Sequence, residues 1–320
     1  MSNIGRFIVK DSEFEDFIYH KVWPFMQQNA QEDYVMSEDG TMLHYQYLLN
    51  AMAKGTIVIS HGFCEFTTKY YETMYYFYLM GYSVFIVEHR GHGYSDRQVE
   101  GYSKVHIQLF EEYIDDFDSF VGAVREKTNA QNLYLFAHSM GGAIGAYYLE
   151  EHPDVFEKAV LSSPMIQMST GSTSPFIVKL MTLMSYIPFC EKNYIPGYHD
   201  YNSDYKYPQC GTMSEARYKY QFDERERCEM YHMNGGTLGW CREAMLVTDK
   251  ILAGADRVQI PVLLFQAGLD HLVMPEGQNE FAKRSGNTKL IVVPDSKHEI
   301  MNATDEIIYN YYDQVMDFYG

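Results

Sequence analysis

The sequence predicts an α/β fold in which a mostly parallel central sheet is flanked by helices and carries an inserted, mainly helical cap. Short β-branched runs alternate with segments of helical spacing along most of the chain, which is typical of such a sheet. This alternation stops at about residue 164 and resumes after residue 240. With 320 residues, of which 46% are hydrophobic, one domain can hold a full core and an insertion. We therefore expect a core formed by residues 1–163 and 241–320 and a cap at residues 164–240.

The first part of the chain provides the early strands of the sheet. Residues 41–48 alternate enough to predict an edge strand, and residues 56–60 are a β-branched run typical of a buried strand. The spacing predicts a helix over residues 70–80 and another buried strand at residues 84–87. Apolar side chains on one side of residues 110–124 predict an amphipathic helix.

The later elements repeat the same alternation around the cap. The predicted strands are residues 133–136, 159–161, 262–265 and 290–293, and the predicted helices are residues 143–149 and about 303–318. Alternating strands and helices imply right-handed crossovers and a mostly parallel sheet. The strand at residues 133–136 falls in the middle of that order, where a central active site is expected.

That middle strand leads into Ala137-His138-Ser139-Met140-Gly141, which is typical of a nucleophile elbow. The usual motif begins with glycine, and Ala137 is still a small residue. A strand that turns sharply into a helix forces its corner residue into strained geometry, which small neighbours permit. By itself the motif also fits a serine that caps a helix, with glycines that serve close packing.

A nucleophilic serine needs a base, and the base needs an acceptor that fixes its tautomer. Asp270 lies just past the strand at residues 262–265, and His298 lies just past the next one. The order Ser139, Asp270, His298 is that of an α/β-hydrolase. Parallel strands present their carboxyl ends along one edge of the sheet, so these residues can converge there.

Other residues compete for these roles. Five further histidines lie near predicted strand ends, namely His61, His89, His92, His138 and His271. Only His298 follows the last strand, and His138 adjoins the serine at a position that directs its ring elsewhere. Asp295 is nearer to His298 in sequence and stays an alternative acid. We prefer Asp270, because triads are recognised by geometry and not by proximity in sequence.

The developing oxyanion requires two backbone donors. One is the N–H of the residue after the nucleophile, Met140, and the other comes from the loop after the strand at residues 56–60. In the turn that follows His61-Gly62, the amide of Phe63 is the best candidate.

Composition excludes several other classes of protein. A net charge of −18 disfavours nucleic acid and anionic membrane surfaces as partners. Five cysteines without CxxC spacing favour reduced thiols in a cytoplasmic protein over disulfides or a zinc site. The N-terminus from Met1 to Arg6 and the acidic residues after it do not look like a signal peptide, and no run of roughly 18 apolar residues predicts a membrane span. We expect a cytoplasmic protein without metal.

Several motifs together resemble one family. They are His61-Gly62, the run from Glu88 to Ser95, Ala137 to Gly142, Ser162-Ser163-Pro164-Met165 and Gly235-Gly236-Thr237, with Trp240, Arg242 and Glu243. The chain resembles bacterial lysophospholipases of the α/β-hydrolase superfamily, in the branch that includes monoacylglycerol lipases. The resemblance implies an ester hydrolase with Ser139, Asp270 and His298 as its triad, a cap over the acyl site and no cofactor.

The chain departs from this family at two places. Glu88 replaces the family's usual aspartate at the start of a turn that we interpret as structural, because its glycines permit positive φ. Phe63 is large enough to narrow the acyl entrance, so the size of the substrate stays open.

We therefore expect a serine carboxylester hydrolase that releases a fatty acid from a lysophospholipid or monoacylglycerol through an acyl-enzyme on Ser139. Its partners are a small acyl ester and, transiently, lipid aggregates, while its oligomeric state is open. One alternative is a non-catalytic ligand-binding protein of this fold. The other is a serine aminopeptidase, in which acidic cap residues would hold the free amino terminus. The candidates are Glu191, Asp200, Asp204, Glu215, Asp223, Glu224 and Glu226.

Overall fold

A computed structural model describes residues 7–129 and 132–320. Residues 1–6, which we predict not to form a signal peptide, lie outside the described residues. In chain order the strands are β1 (Gln31–Met36), β2 (Met42–Leu48), β3 (Thr56–Ser60), β4 (Ser83–Val87), β5 (Lys104–Val105), β6 (Leu133–His138), β7 (Lys158–Ser162), β8 (Gly235–Gly236), β9 (Val262–Ala267) and β10 (Thr288–Val293). Within the described ranges, eight of them form the main sheet, and β5 pairs with β8 separately.

The main sheet is mostly parallel, as predicted. Its order is β1-β2-β4-β3-β6-β7-β9-β10, and only the pairings of β2 with β1 and β4 are antiparallel among the strands described. Strand β6 lies in the interior of this order, between β3 and β7. The prediction that residues 41–48 form an edge strand is wrong. Strand β2 is paired on both sides, because β1 covers its outer edge.

Helices cover both faces of the sheet. They are α1 (Phe14–Phe17), α2 (Trp23–Asn29), α3 (Tyr71–Leu79), α4 (Glu111–Thr128), α5 (Met140–Glu151), α6 (Pro175–Met184), α7 (Glu215–Arg227), α8 (Leu238–Gly254), α9 (Pro275–Ser285) and α10 (Asp305–Tyr319). Along β6, Leu135 packs into one apolar cluster with Phe117 of α4, whereas Phe136 packs into the other with Tyr312 of α10. Successive strand residues point to opposite faces, so a buried parallel strand must be apolar on both.

Between β7 and β9 the chain leaves the sheet, as the broken alternation predicts. This stretch contains α6 and α7, joined by irregular segments, and then α8. Helix α8 returns to the core, where it contacts α5 and buries Val247 and Ile251 in the same cluster as Leu135. None of the helices in the described ranges combines the length and apolarity needed to cross a bilayer.

Candidate active site

Ser139 sits at the sharp junction between β6 and α5. Its φ is 53° and its ψ is −117°, a conformation that non-glycine residues rarely adopt. The junction is also crowded. A Cβ on Gly141 would lie 2.2 Å from the carbonyl oxygen of Ser60, and one on Gly142 would lie 2.6 Å from the Cβ of Pro164. The two glycines are therefore required by close approach of neighbouring backbone, as a nucleophile elbow demands.

Asp270 and His298 meet at the ends of β9 and β10. The Nδ1 of His298 donates a hydrogen bond to Oδ2 of Asp270 at 2.6 Å, and the amides of Leu272 and Val273 donate to Oδ1. Burial alone would raise the pKa of Asp270, but the His298 bond and the two amides hold it below its ordinary value. Asp270 is thus an ionised acceptor that fixes the ring of His298.

The other nitrogen of His298 is free to act as a base. Its Nε2 is buried and has no hydrogen-bond partner among the described residues. His298 and Ser139 line the same cavity. Asp295, the alternative acid, is exposed, and the Nδ1 of His298 is already hydrogen-bonded to Asp270. The structure therefore brings Ser139, Asp270 and His298 to one site and leaves Asp295 outside it.

The neighbouring histidines hold backbone in place. The Nδ1 of His138 donates to the carbonyl of Ser162 at 3.0 Å, and burial lowers the pKa of His138 to about 4. His92 accepts a hydrogen bond at Nε2 from the amide of Cys64, and burial lowers its pKa to about 3. His61 donates from Nδ1 to the carbonyl of the next residue. These rings are neutral at pH 7 and engaged in the scaffold.

In the turn after β3, the amides on either side of Phe63 are both engaged. Gly62 N–H donates to Oε2 of Glu65 at 2.6 Å, and Cys64 N–H donates to His92. Between them, the amide of Phe63 makes no hydrogen bond in the described residues. Met140 is the first residue of α5, so its amide has no partner within the helix. Both amides are thus compatible with an oxyanion hole.

A buried ionic cluster beside His298 was not predicted. The Nζ of Lys69 donates to Oε1 of Glu65 at 2.6 Å and contacts Oε1 of Glu299 at 3.0 Å. Burial opposes ionisation of Glu65, but Lys69 outweighs it and holds the pKa of Glu65 low. The hydroxyl of Thr212 donates to Oε2 of Glu299. The cluster thereby ties the Phe63 turn to the loop that carries His298.

A cavity of about 640 Å³ opens over Ser139. Its wall includes Val178 and Met181 of α6, together with Met165 and Met168 from the segment after β7. Phe63 and Trp240 also belong to this wall, and their rings pack in a tilted arrangement with centroids 3.9 Å apart. The side of the cavity formed by α6 and the segment after β7 is largely apolar, as an acyl-chain site requires.

The turn that begins at Glu88 is structural, as predicted. Its Oε1 accepts a hydrogen bond from the amide of Thr67, and its Oε2 accepts from the amide of Tyr94 and pairs with Nδ1 of His44. A Cβ on Gly93, whose φ is 51°, would lie 2.0 Å from the Glu88 carboxyl group. Glu88 therefore organises the loop and does not reach the cavity.

Comparisons with known proteins identify a family and related chains. The profile of the Hydrolase_4 family, described as serine aminopeptidase, S33, matches residues 51–305. The chain is 25% identical over 315 residues to a probable lysophospholipase L2 of Haemophilus influenzae, which covers 97% of this chain and 98% of that relative. It is 25% identical over 255 residues to a monoacylglycerol lipase of Mycolicibacterium smegmatis, with 79% and 84% covered.

The same fold occurs in solved structures. A soluble variant of monoglyceride lipase from Saccharomyces cerevisiae, in complex with a substrate analogue, superposes with a TM-score of 0.71 at 19% identity. The match covers 91% of this chain and 94% of the yeast one. The predicted α/β-hydrolase fold is thereby confirmed.

Proposed function

The chain belongs to the Hydrolase_4 family (serine aminopeptidase, S33), and we propose that it is a carboxylic ester hydrolase that releases a fatty acid from a lysophospholipid or monoacylglycerol. One observation carries the proposal. A serine at a strained elbow and a histidine held by a buried carboxylate line one largely apolar cavity. The names of the full-length relatives support this class of substrate.

In the proposed mechanism, Ser139 attacks the ester carbonyl while Nε2 of His298 takes its proton. Asp270 keeps the ring oriented and stabilises the imidazolium. The amides of Phe63 and Met140 hold the oxyanion, each contributing on the order of 3 kcal/mol to transition-state stabilisation. His298 then protonates the leaving alcohol, and water attacks the acyl-enzyme on Ser139 in the same way to release the fatty acid.

Residues 164–240 act as a cap over the acyl site in this proposal, and residues 1–163 and 241–320 form the core. Support comes from the cavity wall. Val178 and Met181 on α6 and Phe222 on α7 face the same space as Ser139. An ester whose acyl chain lies against these side chains is shielded from water during the reaction.

Lipid aggregates are the proposed transient partner of α6. The side of this helix away from the cavity is exposed and apolar, with Phe176 77% and Leu183 58% exposed. Residues 158–190 contain no Asp or Glu, although the whole chain has a net charge of −18. A short helix that is apolar on both sides suits a position between the active-site cavity and a lipid surface.

A serine aminopeptidase is the second candidate, since the family description names that activity. It would need carboxylates from the cap in the cavity. The predicted acidic cap residues, from Glu191 to Glu226, do not belong to the described cavity wall. The wall carboxylates Glu65 and Glu299 are already paired with Lys69. This arrangement favours esters over peptides with a free amino terminus.

Parallel assays separate the two candidates. The enzyme is incubated with a lysophospholipid, a monoacylglycerol of the same acyl length and an aminoacyl-naphthylamide, and product release is followed for each. We expect fatty acid from at least one lipid ester and no appreciable naphthylamine. Efficient cleavage of the naphthylamide, with both lipid esters left intact, would assign the chain to the peptidases instead.

A further inference from the structure

The cavity over Ser139 has two chemically different walls. Helix α6 presents mainly apolar side chains, Val178 and Met181 with Thr182. Helix α7 presents one apolar side chain, Phe222, beside Tyr218, Gln221 and Arg225. These last three residues follow one another at intervals of three and four, so they share one side of the helix. An acyl chain suits the first wall, and the second is equipped for a polar head group.

Arg225 is anchored in the polar wall by contacts with three residues. Its Nη2 donates to the carbonyl of Cys64 at 2.8 Å, and its guanidinium lies 5.5 Å from the ring centroid of Phe66 and 5.8 Å from that of Tyr201. Cys64 directly follows Phe63, the proposed oxyanion donor, and consecutive Cα atoms are about 3.8 Å apart. The guanidinium is thus bound to the residue that follows the proposed oxyanion donor, so it lies close to the proposed position of the ester carbonyl.

The charge of Arg225 is not balanced by a carboxylate. In the part of the chain that the structure describes, Arg225 makes no ion pair, and its buried Nε has no hydrogen-bond partner. Arg217 on the same helix pairs with Glu72 at 2.7 Å. The chain has 43 acidic and 25 basic residues. An arginine beside the cavity that pairs with none of these acids is available to an anionic ligand, and a guanidinium matches the geometry of a phosphate.

The nearby carboxylates are paired with Lys69 and not with Arg225. Glu65 and Glu299 share Lys69, and each accepts a further hydrogen bond, Glu65 from the amide of Gly62 and Glu299 from Thr212. With both carboxylates ionised, the two negative charges of Glu65 and Glu299 and the two positive charges of Lys69 and Arg225 add up to zero. A phosphodiester therefore meets a neutral wall with one unpaired guanidinium.

We propose that Arg225 binds the phosphate of a glycerophospho head group, so that the enzyme prefers lysophospholipids to monoacylglycerols. The inference rests on the proposed ester hydrolase function and selects between its two substrates. In a lysophospholipid, the glycerol carbons separate the ester from the phosphate, which matches an arginine anchored next to the oxyanion turn. A monoacylglycerol has no anion to offer, so it leaves Arg225 without this partner.

The test compares two substrates of equal acyl length, 1-acyl-glycerophosphocholine and 1-monoacylglycerol, both below their aggregation concentrations. The wild-type enzyme should have a higher kcat/KM for the lysophospholipid than for the monoacylglycerol.

Arg225→Gln should lower the kcat/KM for the lysophospholipid by roughly 10- to 100-fold, mainly through KM, because a charge-assisted contact is lost. The monoacylglycerol value should change less than about threefold, and Arg225→Lys should lie in between because it keeps the charge but not the bidentate geometry. Lys219→Gln, which removes an exposed cation from the same helix, is the matched control and should change neither substrate.

A measurement on the unaltered enzyme keeps the proposal testable if the variants fold poorly. Glycerophosphocholine should inhibit hydrolysis of a soluble p-nitrophenyl ester competitively, and glycerol at the same concentration should not. Equal losses on both substrates in folded Arg225→Gln, or equal inhibition by the two alcohols, would overturn the role of Arg225 while leaving the esterase intact. Failure of the wild type to cleave any ester would instead remove the proposed function itself.

Discussion

Ser139 occupies a backbone conformation that its side chain does not favour, since its φ is positive. Strain of this kind costs of order 1–3 kcal/mol and persists only where the surroundings fix it. Here the amide of Ser139 donates to Ser162, and its carbonyl accepts from Ala143 and Met165. The elbow motif and the order of the strand ends are sequence properties, so Ser139, Asp270 and His298 could be predicted as a set.

The Glu65–Lys69–Glu299 cluster could not be predicted as a whole. Glu65 and Lys69 are only four residues apart, but Glu65 precedes the helical turn at Thr67–Tyr70, so helical spacing does not predict their pairing. Glu299 joins them only because the β10 loop folds against the turn after β3. A contact that joins residues more than 200 positions apart depends on the complete sheet, and no local pattern encodes it.

Asp270 and Asp295 provide a prediction at the scale of single residues. Asp270→Asn removes the acceptor that fixes the His298 tautomer, so kcat should fall by roughly 10³-fold or more. Asp295→Asn is the matched control and should keep kcat within about twofold, because the Asp295 side chain is exposed. Steady-state hydrolysis of a p-nitrophenyl ester measures both, with circular dichroism to confirm folding. A loss of the same size in Asp295→Asn would reverse the assignment of the acid.

At the scale of elements, the buried strands could be predicted and β1 could not. Strands β3 and β4 are apolar runs buried at each position, which identifies them directly. Strand β1 reads Gln-Glu-Asp-Tyr-Val-Met and is almost entirely exposed. It is held by antiparallel pairing with β2 and by an ion pair between Asp33 and Lys127 of α4. An edge strand without apolar alternation gives no periodic pattern to detect.

Helix α6 carries a prediction about lipid surfaces. The double substitution Leu180→Gln and Leu183→Gln replaces two exposed leucines, so binding to zwitterionic phospholipid vesicles should weaken by about tenfold or more. Hydrolysis of a monomeric short-chain ester should not change, because neither side chain is in the cavity wall. Met52→Gln, an exposed apolar position 89% accessible outside the cap, is the control. Vesicle sedimentation measures the binding. If vesicle affinity is the same in all three proteins, α6 is not the lipid-binding element.

The contact of α5 with α8 makes stability depend on pH. Glu150 is buried there, and neither of its carboxyl oxygens has a hydrogen-bond partner among the described residues. Burial raises its pKa from 4.5 to about 9, although Nη2 of Arg257 lies 3.9 Å from Oε2 and opposes this shift. In the unfolded chain Glu150 ionises near its ordinary value, whereas in the folded protein it stays protonated. The free energy of unfolding should therefore fall as pH rises from about 4.5 towards 9.

Glu150→Gln removes this ionisation and tests it. The variant should gain on the order of 1–3 kcal/mol of stability relative to wild type at pH 8, and the gain should shrink towards pH 4.5. Urea unfolding at pH 5 and pH 8 measures the difference. Glu126→Gln, at an exposed position on α4, should show no such trend. A stability difference for Glu150→Gln that is the same at both pH values would show that Glu150 is ionised in the folded protein.

At the scale of the whole molecule, the sheet gathers distant segments at one edge. The parallel strands β3, β6, β9 and β10 are followed at this edge by the turn of Phe63, Ser139, Asp270 and His298 respectively. The insertion after β7 lies over the same edge, since α6 and α7 line the cavity there. The convergence of Ser139, Asp270 and His298 could therefore be predicted from the order of the strands. The shape of the cavity could not, because it depends on how the segment between β7 and β9 packs, and that segment has no strand alternation.

Labelling of Ser139 decides most directly whether the chain is a serine ester hydrolase. The purified protein is treated with a fluorophosphonate, which modifies activated serines, and the adduct is located by peptide mass spectrometry while ester hydrolysis is followed in parallel. We expect a single adduct on Ser139, activity lost in proportion to labelling, and an unlabelled Ser139→Ala variant whose kcat is lower by ~10³-fold or more. A folded Ser139→Ala protein that releases fatty acid at close to the wild-type rate would contradict the assignment.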